Sequence, residues 1–165
     1  MRIGRRRLVA ALASLLLIVL LVLGTIASVR WRAAGEPHPI SPPAGAVPQS
    51  HQGDGYQRTV FDRAGIIARG LRNDRGDATV RVYALPPDSP WLQARKIVAT
   101  QLDHWEQVGS CADRAEAEIV ECAWREPTRW WPREVRLTML RPPPGENRDG
   151  RPGHPFVVIG SGRGN

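Results

Sequence analysis

The feature that most constrains this chain is an uncharged run over residues 8–29, LVAALASLLLIVLLVLGTIASV. As a helix rising ~1.5 Å per residue, the run would reach roughly 33 Å, which is enough to cross a hydrocarbon core of ~30 Å. A helix also satisfies its backbone amides internally, as lipid requires. The run therefore predicts a membrane anchor over residues 1–32, with its helix at about 8–29.

The charges around the run predict its orientation. Arginines flank it on both sides, at Arg2, Arg5, Arg6, Arg7, Arg30 and Arg32. A cluster of positive charge at the N-terminal flank stays cytoplasmic, so we expect a single pass through the plasma membrane with residues 33–165 outside. A cleaved signal peptide is the alternative, but its apolar core is usually only about 7–15 residues long. Both interpretations place the same domain outside the cytoplasm.

The net charge of +7 comes mostly from the anchor. After residue 33 the chain carries 17 basic and 16 acidic residues, which leaves +1. A nucleic-acid-binding domain would concentrate basic charge on itself. The sequence therefore predicts no nucleic-acid partner, and the membrane is the first partner that it indicates.

Composition divides the rest of the chain in two. Residues 33–55 contain five prolines and four glycines, which predicts an extended linker. His38 and His51 lie in it and are not predicted to bind metal. Residues 56–165 are predicted to form one small domain.

Periodicity within this domain predicts its fold class. Residues 78–85 alternate, which places Val80 and Val82 on one face of a strand and Arg81 and Tyr83 on the other. Three further strands are expected over 116–124, 134–140 and 156–160. The patch at Ile66, Ile67 and Leu71 leaves helix and strand equally open.

One amphipathic helix is expected between the first secure strand and the others. Its apolar stripe consists of Trp91, Ala94, Val98, Leu102 and Trp105. Asp88 or Ser89 would cap its start and Gly109 would end it. The prediction is an α+β domain in which a small antiparallel sheet packs on this one helix, with Val80, Val82, Val120, Trp124, Leu137, Met139 and Val158 facing the stripe.

The two cysteines, Cys111 and Cys122, both fall in the predicted outer domain. Paired cysteines outside the cytoplasm usually form a disulfide. Because Cys111 follows the expected helix end and Cys122 lies on a strand, we expect the bridge to clamp the helix to the sheet.

No catalytic constellation is evident. Cys111 and His104 would lie ~10 Å apart on a helix, too far for a nucleophile and its base. Ser161 stands between two glycines, but no strand-to-helix turn follows it. Carboxylates cluster at Asp103, Glu106, Glu116, Glu118 and Glu121, where a solvated face is expected. We predict no catalytic, cofactor-binding or metal-binding residue, and no enzymatic activity.

The segment 125–133, REPTRWWPR, is the candidate interaction surface, through Arg129, Trp130, Trp131 and Arg133. Adjacent residues of an extended chain point to opposite sides, so only one tryptophan can enter the core. Tryptophan beside arginine commonly anchors protein interfaces. Alternatively, Trp131 covers a sheet edge or stacks on an arginine.

Together these features predict a binding or accessory module of the cell envelope, whose partner is an envelope protein or cell-wall material. The alternative is a small envelope hydrolase acting on cell-wall material, which the carboxylates and the exposed tryptophan would favour. A third hypothesis is an accessory subunit of a membrane complex that makes contacts through its apolar helix.

Overall fold

The computed structural model describes residues 2–50, 55–71, 78–87, 89–90, 92–111, 117–142 and 153–163. The chain divides into two compact units, residues 1–33 and residues 34–165.

The first unit is helical. Helix α1 spans Arg2–Gly35, which confirms the helix predicted at 8–29. Its stretch Arg7–Gly35 is long and apolar enough to cross a membrane. The hydroxyls of Thr25 and Ser28 donate to carbonyls of the preceding turn, at 2.7 and 2.9 Å, so these polar groups are satisfied within the helix.

The second unit is an α+β domain built on an antiparallel sheet. Its elements are β1 (Val47–Gln49), α2 (Tyr56–Leu71), β2 (Thr79–Ala84), α3 (Gln93–Gln101), β3 (Glu106–Val108), β4 (Ile119–Arg125), β5 (Arg133–Leu140) and β6 (Phe156–Arg163). The six described strands are ordered β1-β2-β6-β5-β4-β3. The fold class is confirmed, and the four strands predicted at 78–85, 116–124, 134–140 and 156–160 correspond to β2, β4, β5 and β6. The last of them, β6, continues beyond its predicted end to Arg163.

Both faces of the sheet are covered, which corrects the expectation of one helix. Tyr83, Leu137 and their neighbours form a core with Ala94, Val98 and Leu102 of α3. The residues that alternate with them, among them Val82 and Val158, form a second core with α2. Val80, Val82 and Val158 therefore face α2, whereas Val120, Trp124, Leu137 and Met139 face α3 as predicted.

Helix α2 occupies the stretch whose conformation the sequence left open. Val60, Ala64, Ile67 and Leu71 recur at steps of three or four residues and are buried. The central strand β6 supplies Gly160 opposite this helix, where a Cβ would lie 2.9 Å from the side chain of Leu71. Glycine thus permits the helix to pack closely on the sheet.

The described part of the predicted linker is packed on the domain, so the segment is not a free spacer. β1 pairs with β2, and Ile40 and Ala46 pack against the core on the α3 side. The side-chain amide of Gln101 accepts from the Ser41 backbone N–H at 2.8 Å and donates to its carbonyl at 3.1 Å. The compact unit begins near residue 34 instead of 56. Residues 51–54 of the linker lie outside the described residues.

Helix α3 is shorter than the helix that the apolar stripe predicts. It begins after Leu92, which forms no side-chain cap, so Ser89 is not the N-cap. The helix ends at Gln101, and the buried Leu102 and half-buried Trp105 reach the core from a turn, which periodicity alone does not distinguish from a helix. Gly109, with φ +73°, follows β3 and does not end the helix. Asp88 and Trp91 lie outside the described residues.

Cys111 and Cys122 lie at disulfide distance, with their Cα atoms 4.6 Å apart. The proximity that the prediction required is confirmed. The connection between them, however, joins β3 to β4, because β3 follows the helix. The bridge therefore closes a local hairpin and does not clamp the helix to the sheet.

Candidate functional site

One end of the sheet gathers residues that are far apart in sequence. The strand register pairs Ser161 near the end of β6 with Thr79 at the start of β2, and with Val135 near the start of β5. On the α3 side, this end carries a cavity of about 250 Å³. The segment 37–40 lines one part of it, and side chains of β2 and β6 line the rest.

Ser161 is the most unusual residue of this cavity. It is only 4% exposed, and its hydroxyl has no hydrogen-bond partner among the described residues. A buried polar atom without a partner costs roughly 1–3 kcal/mol, so its presence calls for an explanation. In the sequence Ser161 resembles part of a glycine-rich tail, whereas the structure places it in the central strand β6.

Arg81 gives the cavity its permanent charge. Its side chain is exposed, and it forms no ion pair with any described residue. Thr79 and Tyr83, on the same strand face, add hydroxyl groups to the lining. No aspartate or glutamate is among the described residues that line the cavity. Strand periodicity predicts that Arg81 and Tyr83 share one face, on the side away from the single predicted helix. In the structure this shared face lies on the α3 side of the sheet.

His38 connects the cavity to an aromatic cluster. Its ring centroid lies 5.0 Å from that of Trp105, and the guanidinium of Arg133 lies 5.7 Å from the same Trp105 ring. Arg133 in turn donates two hydrogen bonds to Glu126, at 3.0 and 3.1 Å. Burial lowers the pKa of His38 below its usual value, the charge of Arg133 lowers it further, and Glu126 partly opposes both effects. These effects together favour the neutral form of the imidazole.

The connection between β4 and β5 carries the predicted interaction surface. Trp130 is 53% exposed and Arg129 is also exposed. Trp131 is half-buried with φ +52°, a conformation that costs a non-glycine residue about 1–3 kcal/mol. The two rings meet edge to face, with centroids 6.1 Å apart. Arg133 was expected to belong to the same surface, but its guanidinium lies over the Trp105 ring instead. Neither Trp130 nor Trp131 belongs to the buried core.

The carboxylates singled out in the sequence lie elsewhere. Asp103, Glu106, Glu118 and Glu121 are exposed, and Glu121 pairs with Arg63 of α2 at 3.2 Å. Two further cavities, of about 520 and 430 Å³, also have no acidic residue among their described lining. Glu116 lies outside the described residues.

His104 and Cys111 are not brought together as a catalytic pair, because Cys111 lies against Cys122 and His104 is exposed. Within the described ranges, no group of three or more His, Cys, Asp or Glu residues is arranged to hold a metal ion.

Glu134 is a buried ionic residue that the sequence pattern did not indicate. It accepts hydrogen bonds from Arg125 at 3.0 Å and from Arg136 at 2.6 Å. Its neighbours Val135 and Leu137 face the α3 core, so alternation places Glu134 on the α2 face. Alternation also led us to expect this face to be solvated, which is why the burial of Glu134 was missed.

No family model, no curated protein and no solved structure matches this chain.

Proposed function

We propose that this chain is a single-pass protein of the plasma membrane that presents a small binding domain outside the cytoplasm. The length and apolarity of α1 and the arginines before it support the anchor and its orientation. The closely placed Cys111 and Cys122 fit an oxidising compartment.

The binding role is carried by one observation: a cavity at the end of the sheet is lined by residues whose polar groups the described protein does not itself satisfy. Ser161 is buried without a partner and Arg81 has no countercharge among the described residues. Concave sites with an apolar lining and a few convergent polar groups are typical of ligand binding. Trp130 lies in the connection leading into β5 at this end and offers an additional exposed contact.

The hydrolase alternative draws no support from the carboxylates, because those described are exposed and do not line the three cavities. A glycosidase-type mechanism needs two carboxyl groups facing each other across a cleft. Turnover of an envelope substrate by the purified chain, abolished by a single substitution, would overturn the binding proposal.

Orientation can be tested by labelling introduced cysteines on intact cells with a membrane-impermeant thiol reagent. Ser50→Cys lies at an exposed position after β1 and should label without lysis. Gly4→Cys, before the apolar run, is the matched control and should label only after lysis. The unmodified chain corrects for any reaction of the native cysteines. The opposite pattern would reverse the topology.

Partner binding can be tested by site-specific photo-crosslinking in membranes. A photoreactive residue replacing Trp130 should give a discrete crosslinked product, whereas one replacing the exposed Val108 on the edge strand β3 should not. Identical product patterns from both positions would argue against a binding surface at Trp130.

A further inference from the structure

The cavity lined by Ser161 and Arg81 is specific enough to indicate the chemistry of a ligand. Arg81 lies opposite Ile159 in the strand register, and Ser161 is two residues further along β6. Such diagonal neighbours lie about 7–8 Å apart, within reach of a long side chain. Both residues line the same cavity, so one ligand bound there lies beside both of them.

The polar lining suits an anion. Arg81 is permanently charged and presents a planar fork of donors that matches a carboxylate. Ser161 adds a buried hydroxyl that no described residue satisfies. His38 also lines the cavity, and burial and the charge of Arg133 lower its pKa, which disfavours a second positive charge there. One fixed positive charge thus balances one negative charge, which favours a monocarboxylate over a doubly charged phosphate.

Apart from Thr79 and Tyr83, the remaining lining is apolar, and the cavity volume limits the size of the ligand. Pro37, Pro39, Ile40 and Ile159 surround the polar groups. An apolar cavity of about 150 Å³ is sufficient for benzene. The volume of about 250 Å³ therefore has room for a carboxylate attached to a body the size of a benzene ring or a leucine side chain.

We propose that this cavity binds a monocarboxylate with a compact apolar body, held by the guanidinium of Arg81 and the hydroxyl of Ser161. The inference rests on the proposed binding function and names its ligand class. The carboxylate belongs either to a free small acid or to the C-terminus of a peptide ending in an apolar residue. In the bound state, the carboxylate accepts a hydrogen bond from the Ser161 hydroxyl.

The test is calorimetric titration of the full chain in detergent micelles with phenylacetate, and with phenylacetamide as the uncharged control. Phenylacetate should bind saturably at one site below about 10 mM, and the amide should bind at least about tenfold more weakly. A tripeptide ending in phenylalanine, with a free or an amidated C-terminus, distinguishes the two sources. No saturable binding of either acid, or equal binding of acids and amides, would overturn the proposal.

Three variants locate the site. Arg81→Gln should weaken phenylacetate binding about tenfold or more, because a charge-assisted hydrogen bond is lost. Ser161→Ala should weaken it about fivefold without lowering the melting temperature of the ligand-free chain, since the hydroxyl it removes has no described partner. Arg63→Gln removes an arginine from α2, on the other side of the sheet, and should leave affinity unchanged.

Unchanged affinity in Arg81→Gln would refute the assignment, and so would an equal loss in Arg63→Gln. A Ser161→Ala chain that melts lower while binding normally would show that the hydroxyl is structural. Failure of these titrations, with cysteine labelling and Trp130 crosslinking as expected, would reject the ligand class alone. Reversed labelling would reject the topology without affecting the titrations.

Discussion

Replacing Gly160 with alanine tests the packing of α2 on the central strand. A Cβ at this position would lie 2.9 Å from Leu71 Cδ1 and would also meet Ile67 Cγ2. Ile67 and Leu71 lie one helical turn apart, so the new methyl group meets the helix at two points. Both side chains are buried, and Ile67 is stiff at χ1, so relief requires a movement of the helix.

The expected magnitude follows from two opposing effects. Overpacking a well-packed core typically costs about 1–3 kcal/mol. Glycine inside a strand already costs roughly 0.5–1 kcal/mol relative to alanine, and the substitution recovers this amount. We expect a net loss of about 1–2 kcal/mol, which for a domain of this size lowers the melting temperature by roughly 4–8 °C.

Gly65→Ala is the matched control. Gly65 lies in α2, where an added Cβ would make an ordinary contact of 3.5 Å with the end of the Arg69 side chain. Alanine in a helix interior should stabilise the domain by about 0.5–1 kcal/mol. Unfolding of the full chain in micelles can be followed by tryptophan fluorescence, because Trp124 is buried in the domain. If Gly160→Ala melts as high as Gly65→Ala, α2 does not pack on β6 as described.

Three further predictions concern the domain. Reducing the bridge between Cys111 and Cys122 should remove about 3 kcal/mol and lower the melting temperature by roughly 10 °C, given their separation of 11 residues; mass spectrometry showing two free thiols in the native protein would refute the bridge. Glu134→Gln should destabilise the domain by about 1–2 kcal/mol in urea unfolding, because Glu134 is buried and hydrogen-bonded to two arginines. As the control, Glu121→Gln loses only an exposed ion pair and should change the free energy of unfolding by less than about 0.5 kcal/mol. Because the pKa of His38 is lowered in the folded state, its contribution to stability is present above about pH 6.5 and is lost as the pH falls through the lowered pKa. The free energy of unfolding, measured between about pH 7.5 and 5.5, should show this loss. An equally steep loss in His38→Gln would refute the prediction.

Local patterns determined a definite part of this structure. The uncharged run requires a helix, and the structure has one there. β2, β4 and β5 follow from period-two alternation, which one buried face is enough to impose. Cys111 and Cys122 were expected to be close because the short chain between them can turn back, although the element joined by the bridge was predicted incorrectly.

Tertiary packing decided the strands that show no period-two alternation. β6 is buried on both faces over almost its whole length, so its residues show no alternation and its glycine-rich end resembled a loose tail. β1 and β3 are only three residues long and owe their strand conformation to pairing with longer neighbours. No local pattern predicts such edges, because they depend on the strand beside them.

The candidate site likewise exists only in the folded chain. His38, Arg81 and Ser161 come from a packed segment and two neighbouring strands, and each alone resembles an ordinary linker, surface or tail residue. Ser161 is buried without a described partner, and all three residues line one cavity. Both properties depend on residues far apart in sequence, so only the tertiary structure determines them.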